Sequence, residues 1–304
     1  MNSNTKSGYV AILGLPNAGK STLMNALLGQ KLSITTSKPQ TTRKKILGIL
    51  SSENYQVIFL DTPGIIKPNY LLQEKMMEAV SGSLKDADVI ILIIDVFSDP
   101  EGKETLNNIF VSEKVLSSPK TLLLLLNKID LTQQENVKNL ISKFESLNKF
   151  KKVIPVAALL NFNIEEVLGS IVELLPEGPK FYPDDIVADE NERFFVSEII
   201  REKIFELYKE EIPYSIEVII ADFKEREDKK DYILAEIIVE RESQKGILIG
   251  KQGTTIKNLG LDSRKAIEDF LQKEVYLELK VKVKNKWRSD ERQLKSFGYS
   301  KPKD

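Results

Sequence analysis

Between an apolar run at residues 9–13 and a helical pattern at residues 20–28 lies the loop GLPNAGKS, Gly14 to Ser21. No other feature constrains the fold as tightly. A Gly-x4-Gly-Lys-Ser loop joining a strand to a helix turns its backbone N–H groups inward around phosphate oxygens, a geometry that glycine permits. The helix N-terminus that follows adds a favourable dipole for an anion. The phosphate-binding set is therefore Gly14, Asn17, Ala18, Gly19, Lys20, Ser21 and Thr22. Lys20 is expected to reach the β and γ phosphates of a nucleotide, and the Ser21 hydroxyl to bind Mg²⁺.

Three further segments with different chemical jobs follow in order. DTPG, Asp61 to Gly64, ends an apolar strand pattern. There a carboxylate can hold Mg²⁺ through water, and the Gly64 N–H can sense a γ-phosphate. The polar stretch 35–43 contains Thr41 and Thr42, either of which can complete the metal shell when the γ-phosphate is present. NKID, Asn127 to Asp130, follows a strand of leucines. Asp130 can accept hydrogen bonds from guanine N1–H and its exocyclic amine, while the Lys128 stem lies along the base. Adenine offers no such donor pair, and a polar group left unpaired costs about 1–3 kcal/mol. The four segments together select GTP over ATP. After a last strand at 153–156 comes Ala157-Ala158-Leu159, where an alanine backbone can donate to guanine O6. Ile65 occupies the position that carries a water-orienting glutamine in Ras-like enzymes, and isoleucine cannot do that work.

The rest of the first half fits this site. Apolar runs at 57–60, 88–96 and 122–126 alternate with helical patterns at 74–84, 104–116, 134–147 and 164–174. Two of the runs are nearly continuous, as strands buried on both faces are. The pattern predicts a mostly parallel sheet covered by helices, an α/β P-loop domain over 1–175. At 304 residues the chain suits two domains. It has neither cysteine nor histidine. That removes disulfide and thiolate chemistry and the usual general base, leaving backbone, carboxylate, hydroxyl, Lys, Arg and a hard metal ion. No apolar run approaches the ~20 residues of a membrane span, and a cytoplasmic location is expected.

Residues 175–189 carry three prolines and four acids with no apolar period, so 176–190 reads as a linker. Beyond it, at 191–304, a helix (193–210), two alternating strands (215–223 and 231–240), a Gly-rich loop opening a helix (254–274) and a last strand (275–283) predict a smaller α+β domain. The net charge of −1 conceals an asymmetry: residues 243–304 carry 15 Lys and Arg against 8 Asp and Glu. A basic end suits a polyanion, or is simply a solvated face. Gly250-Lys251-Gln252-Gly253 is a GxxG loop of the kind that lets a single-stranded RNA backbone approach closely. Lys251 and Lys257 can meet phosphates. Ile247, Ile249, Ile256 and Leu259 are candidates for a base-holding groove or for plain core. The basic segment 284–292, with Trp287 and Arg288, is expected to stack on or flank RNA.

Over essentially its whole length the chain resembles the bacterial Era-type GTPases, within the wider TrmE-Era-EngA-like P-loop group. The resemblance is carried by GLPNAGKSTLMNALLGQKLSI, PQTTRKKILGI, DTPGIIKP, NKID, LPEGP, SEIIREKIF, EEIPYSIEV, KGILIGKQGTTIK and WRSDERQLKSFGY. It implies a type II KH fold for the second domain. It also implies GTP hydrolysis assisting small (30S) ribosomal subunit assembly, 16S rRNA bound near its 3′ end, and a monomer. It selects Thr42 as the metal-shell threonine, so the metal set is Ser21, Thr42 and Asp61, and the catalytic set is Lys20, Thr42, Asp61, Gly64 and Asn17. In related GTPases an asparagine at Asn17 helps bind a K⁺ ion that acts like an arginine finger. Some members associate with the inner face of the cell membrane, and a membrane-associated signalling GTPase acting through protein effectors is the competing expectation. Two positions depart from the family: Ile66 stands where histidine is common, and Ala157 replaces the usual serine.

Overall fold

The computed structural model describes residues 5–227 and 229–299; the outermost residues of the expected domains, at 1–4 and 300–304, lie outside the described residues. The chain divides into two compact units, Met1–Lys67 with Met76–Asp189, and Pro68–Lys75 with Glu190–Asp304. No helix among the described residues is long and apolar enough to cross a membrane.

The first unit is built from β1 (Lys6–Leu13), α1 (Lys20–Leu28), β2 (Ile46–Ser51), β3 (Tyr55–Asp61), α2 (Leu71–Asp86, from Met76 onward), β4 (Val89–Asp95), α3 (Lys103–Asn107), β5 (Thr121–Asn127), α4 (Gln134–Ser146), β6 (Lys152–Val156) and α5 (Ile164–Leu174). The six strands lie in the order β2-β3-β1-β4-β5-β6. β2 runs antiparallel to β3, and the other neighbours are parallel. Every residue of β4 is buried, which is why its sequence VIILIID shows no polar alternation. Leu13, Asp61, Asp95, Asn127 and Val156 end their strands at one edge of the sheet. That carboxyl edge is where open α/β sheets bind ligands, beside the point where strand order reverses around β1.

Two expectations are corrected here. The helix expected at 104–116 is broken. α3 stops at Asn107, and Asn108 is extended at φ −60°, ψ 126°. Its side-chain oxygen accepts from Phe110 N at 3.0 Å, and a π-helical turn follows at Val111–Val115. A short polar side chain bonding its own backbone competes with helix in this way. The Pro-rich segment after α5 is also bound along the first unit. Gln56 Oε1 accepts from Phe181 N and Tyr182 N at 2.8 and 2.9 Å, and Ile49 N donates to Val187 O at 2.9 Å.

The second unit contains α6 (Glu192–Leu207), α7 (Ile212–Ser215), β7 (Glu217–Lys224), β8 (Asp231–Val239), α8 (Glu242–Ile249), α9 (Thr254–Leu271), β9 (Val275–Val283) and α10 (Glu291–Ser296). Its sheet has the order β7-β8-β9, with β7 antiparallel and β9 parallel to β8. Asn191 caps α6, its side chain accepting from Phe194 N at 3.0 Å. Val196, Ile200 and Ile204 of α6, Leu248 of α8 and Leu259 and Ile267 of α9 share one core with Ile233, Ala235 and Ile237 of β8. This helix-strand-strand-helix-helix-strand order, with a Gly loop between the paired helices, is the smaller α+β KH architecture.

Candidate functional site

The loop after β1 takes its shape from its glycines. Gly19 has φ +97°, and an added Cβ would fall 2.2 Å from Asn127 Nδ2. At Gly14 a Cβ would fall 2.5 Å from the Ile93 carbonyl oxygen. Lys20 is buried, and its ammonium donates to the carbonyls of Gly14 at 3.2 Å and Leu15 at 2.8 Å. Burial lowers its pKa to about 8 against the opposing pull of Asp61. A buried ammonium held beside a loop of backbone donors is a site prepared for anionic oxygens.

Ser21, Thr42 and Asp61 meet at one end of that loop. Ser21 Oγ donates to Asp61 Oδ2 at 2.7 Å and lies 2.8 Å from Thr42 Oγ1. Thr42 Oγ1 is 3.5 Å from the same carboxylate oxygen. Thr41 Oγ1 donates instead to Lys38 O at 2.9 Å. Burial pushes the Asp61 carboxyl above its usual range, opposed by the Ser21 hydroxyl and Lys20. Its second oxygen, Oδ1, is buried with no hydrogen-bond partner. One carboxylate, with one of its oxygens buried and unpaired, and two hydroxyls are hard donors of the type Mg²⁺ takes alongside nucleotide phosphates. The residues present thus fit that ion.

Gly64 packs directly on the phosphate loop, where an added Cβ would sit 2.8 Å from Pro16 Cα. The next residue, Ile65, donates its N–H to Gly14 O at 3.0 Å and buries its side chain in the core. Asn17 is exposed with φ 61°, and its Nδ2 donates to Ser37 O at 3.1 Å.

At the other end, Asn127 joins the phosphate loop to the loop after β6. Its Nδ2 donates to Ala18 O at 2.8 Å, and its Oδ1 accepts from Ala158 N at 3.0 Å. Ala157 N donates to Phe162 O at 3.4 Å. Lys128 has φ 65°, and its ammonium meets Asp95 Oδ2 at 2.6 Å. Asp130 is exposed at the rim.

These elements enclose a cavity of about 490 Å³, whose walls include Asn17, Gly19, Lys20, Ser21, Thr22, Thr42, Gly64, Asn127, Lys128, Asp130 and Ala158. Gly14, Ala18, Asp61 and Ala157 are not among the residues that line it. Sequence reasoning missed Leu131 and Leu159, which also line the cavity and are 53% and 80% exposed. Two exposed leucines beside NKID and the alanine pair were the available signal. Asp95 and Asn25 were missed as well. Asn25 holds the start of the threonine loop, accepting from Leu32 N and Ser33 N at 2.9 Å each.

In the second unit Gly250 has φ +73°, and an added Cβ would lie 2.0 Å from Thr255 Oγ1. Gly253 also has a positive φ, +75°. Lys251, Gln252 and Lys257 are exposed. Beside the loop lies a groove of about 290 Å³ between α9 and β9, lined by Ile256, Lys257, Leu261, Arg264, Leu277 and Leu279. Of the groove candidates only Ile256 lines it. Leu259 is core, Ile249 is half-buried, and Ile247 is exposed on α8.

The stacking role expected of Trp287 is corrected. Its ring is 0% exposed, its Nε1–H donates to Ser215 O at 3.0 Å, and Phe297 packs edge-on with centroids 5.6 Å apart. Arg288 is tied to Glu240 and to the Tyr214 carbonyl at 3.5 Å. A tryptophan among lysines reads like an RNA platform in sequence, but here it anchors the C-terminal segment.

Residues 9–128 match the family described as 50S ribosome-binding GTPase, and residues 211–288 match the KH domain family. The chain is 47% identical to the chloroplastic GTPase ERA1 of Zea mays over 98% of its own length and 71% of that protein. It is 42% identical to GTPase Era of Geotalea uraniireducens over 97% of its length and 98% of the relative. The fold superposes on a variant of Aquifex aeolicus Era bound to GDP and AlF4⁻ with a TM-score of 0.92 and 39% identity, covering 97% of this chain and 100% of the other. It superposes equally on Era in complex with MgGDPNP and nucleotides 1506–1542 of 16S ribosomal RNA, with a TM-score of 0.91 and 39% identity over 97% and 99% of the two chains. With the four nucleotide motifs gathered at one sheet edge of the first unit and a KH domain forming the second, the chain belongs to the Era family of GTPases and hydrolyses GTP.

Proposed function

We propose that this GTPase is a switch that binds 16S rRNA near its 3′ end and assists assembly of the small ribosomal subunit. The observation that carries the RNA half is the GxxG loop, with Gly250 where no Cβ fits, opening beside a groove that is apolar along its floor and carries Lys257 and Arg264. Close backbone approach needs the glycines, phosphates need the cations, and bases need the apolar wall. The relative crystallised with a 16S rRNA fragment supports the same partner.

In the nucleotide half, Lys20 meets the β and γ phosphates and Ser21, Thr42 and Asp61 hold Mg²⁺. When bound, that ion neutralises charge that builds on the phosphates during transfer. Thr42 belongs to a loop that closes over the γ-phosphate, and Gly64 N–H senses the same group. Asp130 and Lys128 take the base, with Lys128 braced by Asp95. Ile65 buries its side chain, so water orientation falls to another device. Asn17, at the cavity wall and tied to the threonine loop, is the residue from which a K⁺ ion would act.

The test is a variant with Asp at both Lys251 and Gln252. Both positions are exposed, so melting should stay near wild type, because surface changes usually remain within about ±0.5 kcal/mol. Affinity for a 16S 3′-end RNA at fixed salt should fall sharply through repulsion of phosphates, with GDP binding intact. Wild-type RNA affinity in a normally melting double variant would remove the loop as the clamp.

A further inference from the structure

Two buried polar atoms at the metal end of the nucleotide pocket have no hydrogen-bond partner, Asp61 Oδ1 and Ser33 Oγ. Asp61 is 0% exposed and Ser33 is 1% exposed. Ser33 belongs to none of the four nucleotide motifs. Its hydroxyl faces the Asp61 carboxylate closely enough to lower that group's pKa as a hydrogen-bond donor does, yet the contact falls short of hydrogen-bond geometry and leaves both oxygens unpaired.

The placement of Ser33 is fixed from α1. Asn25 accepts from Leu32 N and Ser33 N at 2.9 Å each and donates to Ser33 O at 2.7 Å. The helix that presents Ser21 to the metal position therefore also sets Ser33. The two oxygens of Asp61 divide the work. Oδ2 takes the Ser21 hydroxyl at 2.7 Å and faces Thr42 at 3.5 Å, whereas Oδ1 is left for something else. Buried polar groups in folded proteins are almost always satisfied, and an orphaned pair marks an ion or an ordered water. An alanine at residue 33 would fill nearly the same space without the cost of an unpaired hydroxyl.

We infer that Ser33 Oγ and Asp61 Oδ1 together hold a water of the Mg²⁺ shell, which makes Ser33 a positioning residue for the metal. The inference rests on the reading that Ser21, Thr42 and Asp61 form the Mg²⁺ site. Groups that orient a metal's ligands, without being ligands themselves, typically change metal affinity 10- to 100-fold when removed.

The experiment measures release of a fluorescent GDP analogue from the full chain as Mg²⁺ is titrated, in wild type, Ser33→Ala and Ser33→Thr, beside melting curves in EDTA. Ser33→Ala should raise the Mg²⁺ midpoint about 10- to 100-fold. Its release rate and melting temperature in EDTA should be no worse than wild type, because the deletion removes an unsatisfied hydroxyl. Ser33→Thr, which keeps the hydroxyl, should hold the midpoint near wild type. An unchanged midpoint in Ser33→Ala overturns the inference. So does faster release in EDTA matching the whole effect, which would mark Ser33 as structural. If wild-type release ignores Mg²⁺ altogether, the metal reading of Ser21, Thr42 and Asp61 fails first and takes Ser33 with it.

Discussion

Replacing Asn127 with alanine should damage both fold and nucleotide binding by a calculable amount. The side chain is 2% exposed and makes two buried bonds, to Ala18 O at 2.8 Å and from Ala158 N at 3.0 Å. Alanine strands that carbonyl and that N–H, and each buried orphan costs about 1–3 kcal/mol. The total is therefore about 2–6 kcal/mol. A domain of this size loses roughly 2–4 °C of melting temperature per kcal/mol, so the first unit should melt about 4 °C or more below wild type. The same two bonds pre-set the phosphate loop against the base loop. Losing one orphan's worth of that order, about 1–3 kcal/mol, weakens GDP binding roughly 5- to 150-fold. The assay is equilibrium binding of fluorescent GDP with a melting curve on the same sample. Gly19→Ala supplies a second handle, since its Cβ would come 2.2 Å from Asn127 Nδ2 and must displace it. The two substitutions should be non-additive in a double-mutant cycle. If Asn127→Ala binds GDP within twofold of wild type and melts normally, the tie between the loops is not what organises the site.

Three further outcomes are expected. Asp130→Asn should lose GTP and gain xanthosine triphosphate, whose 2-oxo group accepts where guanine donates; unchanged GTP affinity would sink the base assignment. Hydrolysis should run faster in K⁺ than in Na⁺ at equal ionic strength, with the gain abolished in Asn17→Ala. Equal rates in the two salts would leave Asn17 as a loop residue. Trp287→Ala should destabilise the second unit by about 3–5 kcal/mol, the usual cost of truncating a buried large aromatic, with RNA affinity falling only as folded protein is lost. A variant that melts like wild type but cannot bind RNA would restore the stacking role.

The nucleotide half was legible because its chemistry is written in contiguous motifs. Asp61 and Asn127 end strands that apolar runs announce, Lys20 and Ser21 open the helix after another such strand, and a parallel sheet brings those strand ends to one edge. The parts that were not legible depend on tertiary pairing. β2 (Ile46–Ser51) was missed because it is an antiparallel addition after a polar loop, where parallel alternation predicts nothing. α8 (Glu242–Ile249) was missed because Gly246 interrupts its helical propensity; its stability comes from Leu248 in the core. The segment 176–189 reads as linker by composition, yet its backbone is bonded by the Gln56 side chain more than a hundred residues away. Trp287 shows the opposite failure. Its basic neighbours are visible in sequence, but the Ser215 carbonyl that takes its indole N–H lies 72 positions earlier. Ser33 carries no motif at all and stands out only through burial and an unpaired oxygen.

A switch of the kind proposed requires that nucleotide state govern RNA engagement by the KH unit. The direct measurement is the affinity of a 16S 3′-end RNA for the full chain loaded with a non-hydrolysable GTP analogue and for the same chain loaded with GDP, at one fixed salt concentration. The account predicts that the two nucleotide states bind the RNA with clearly different affinities, and that Asp at Lys251 and Gln252 lowers both. Equal affinity in both states, with tight binding that survives the GxxG substitutions, would contradict it.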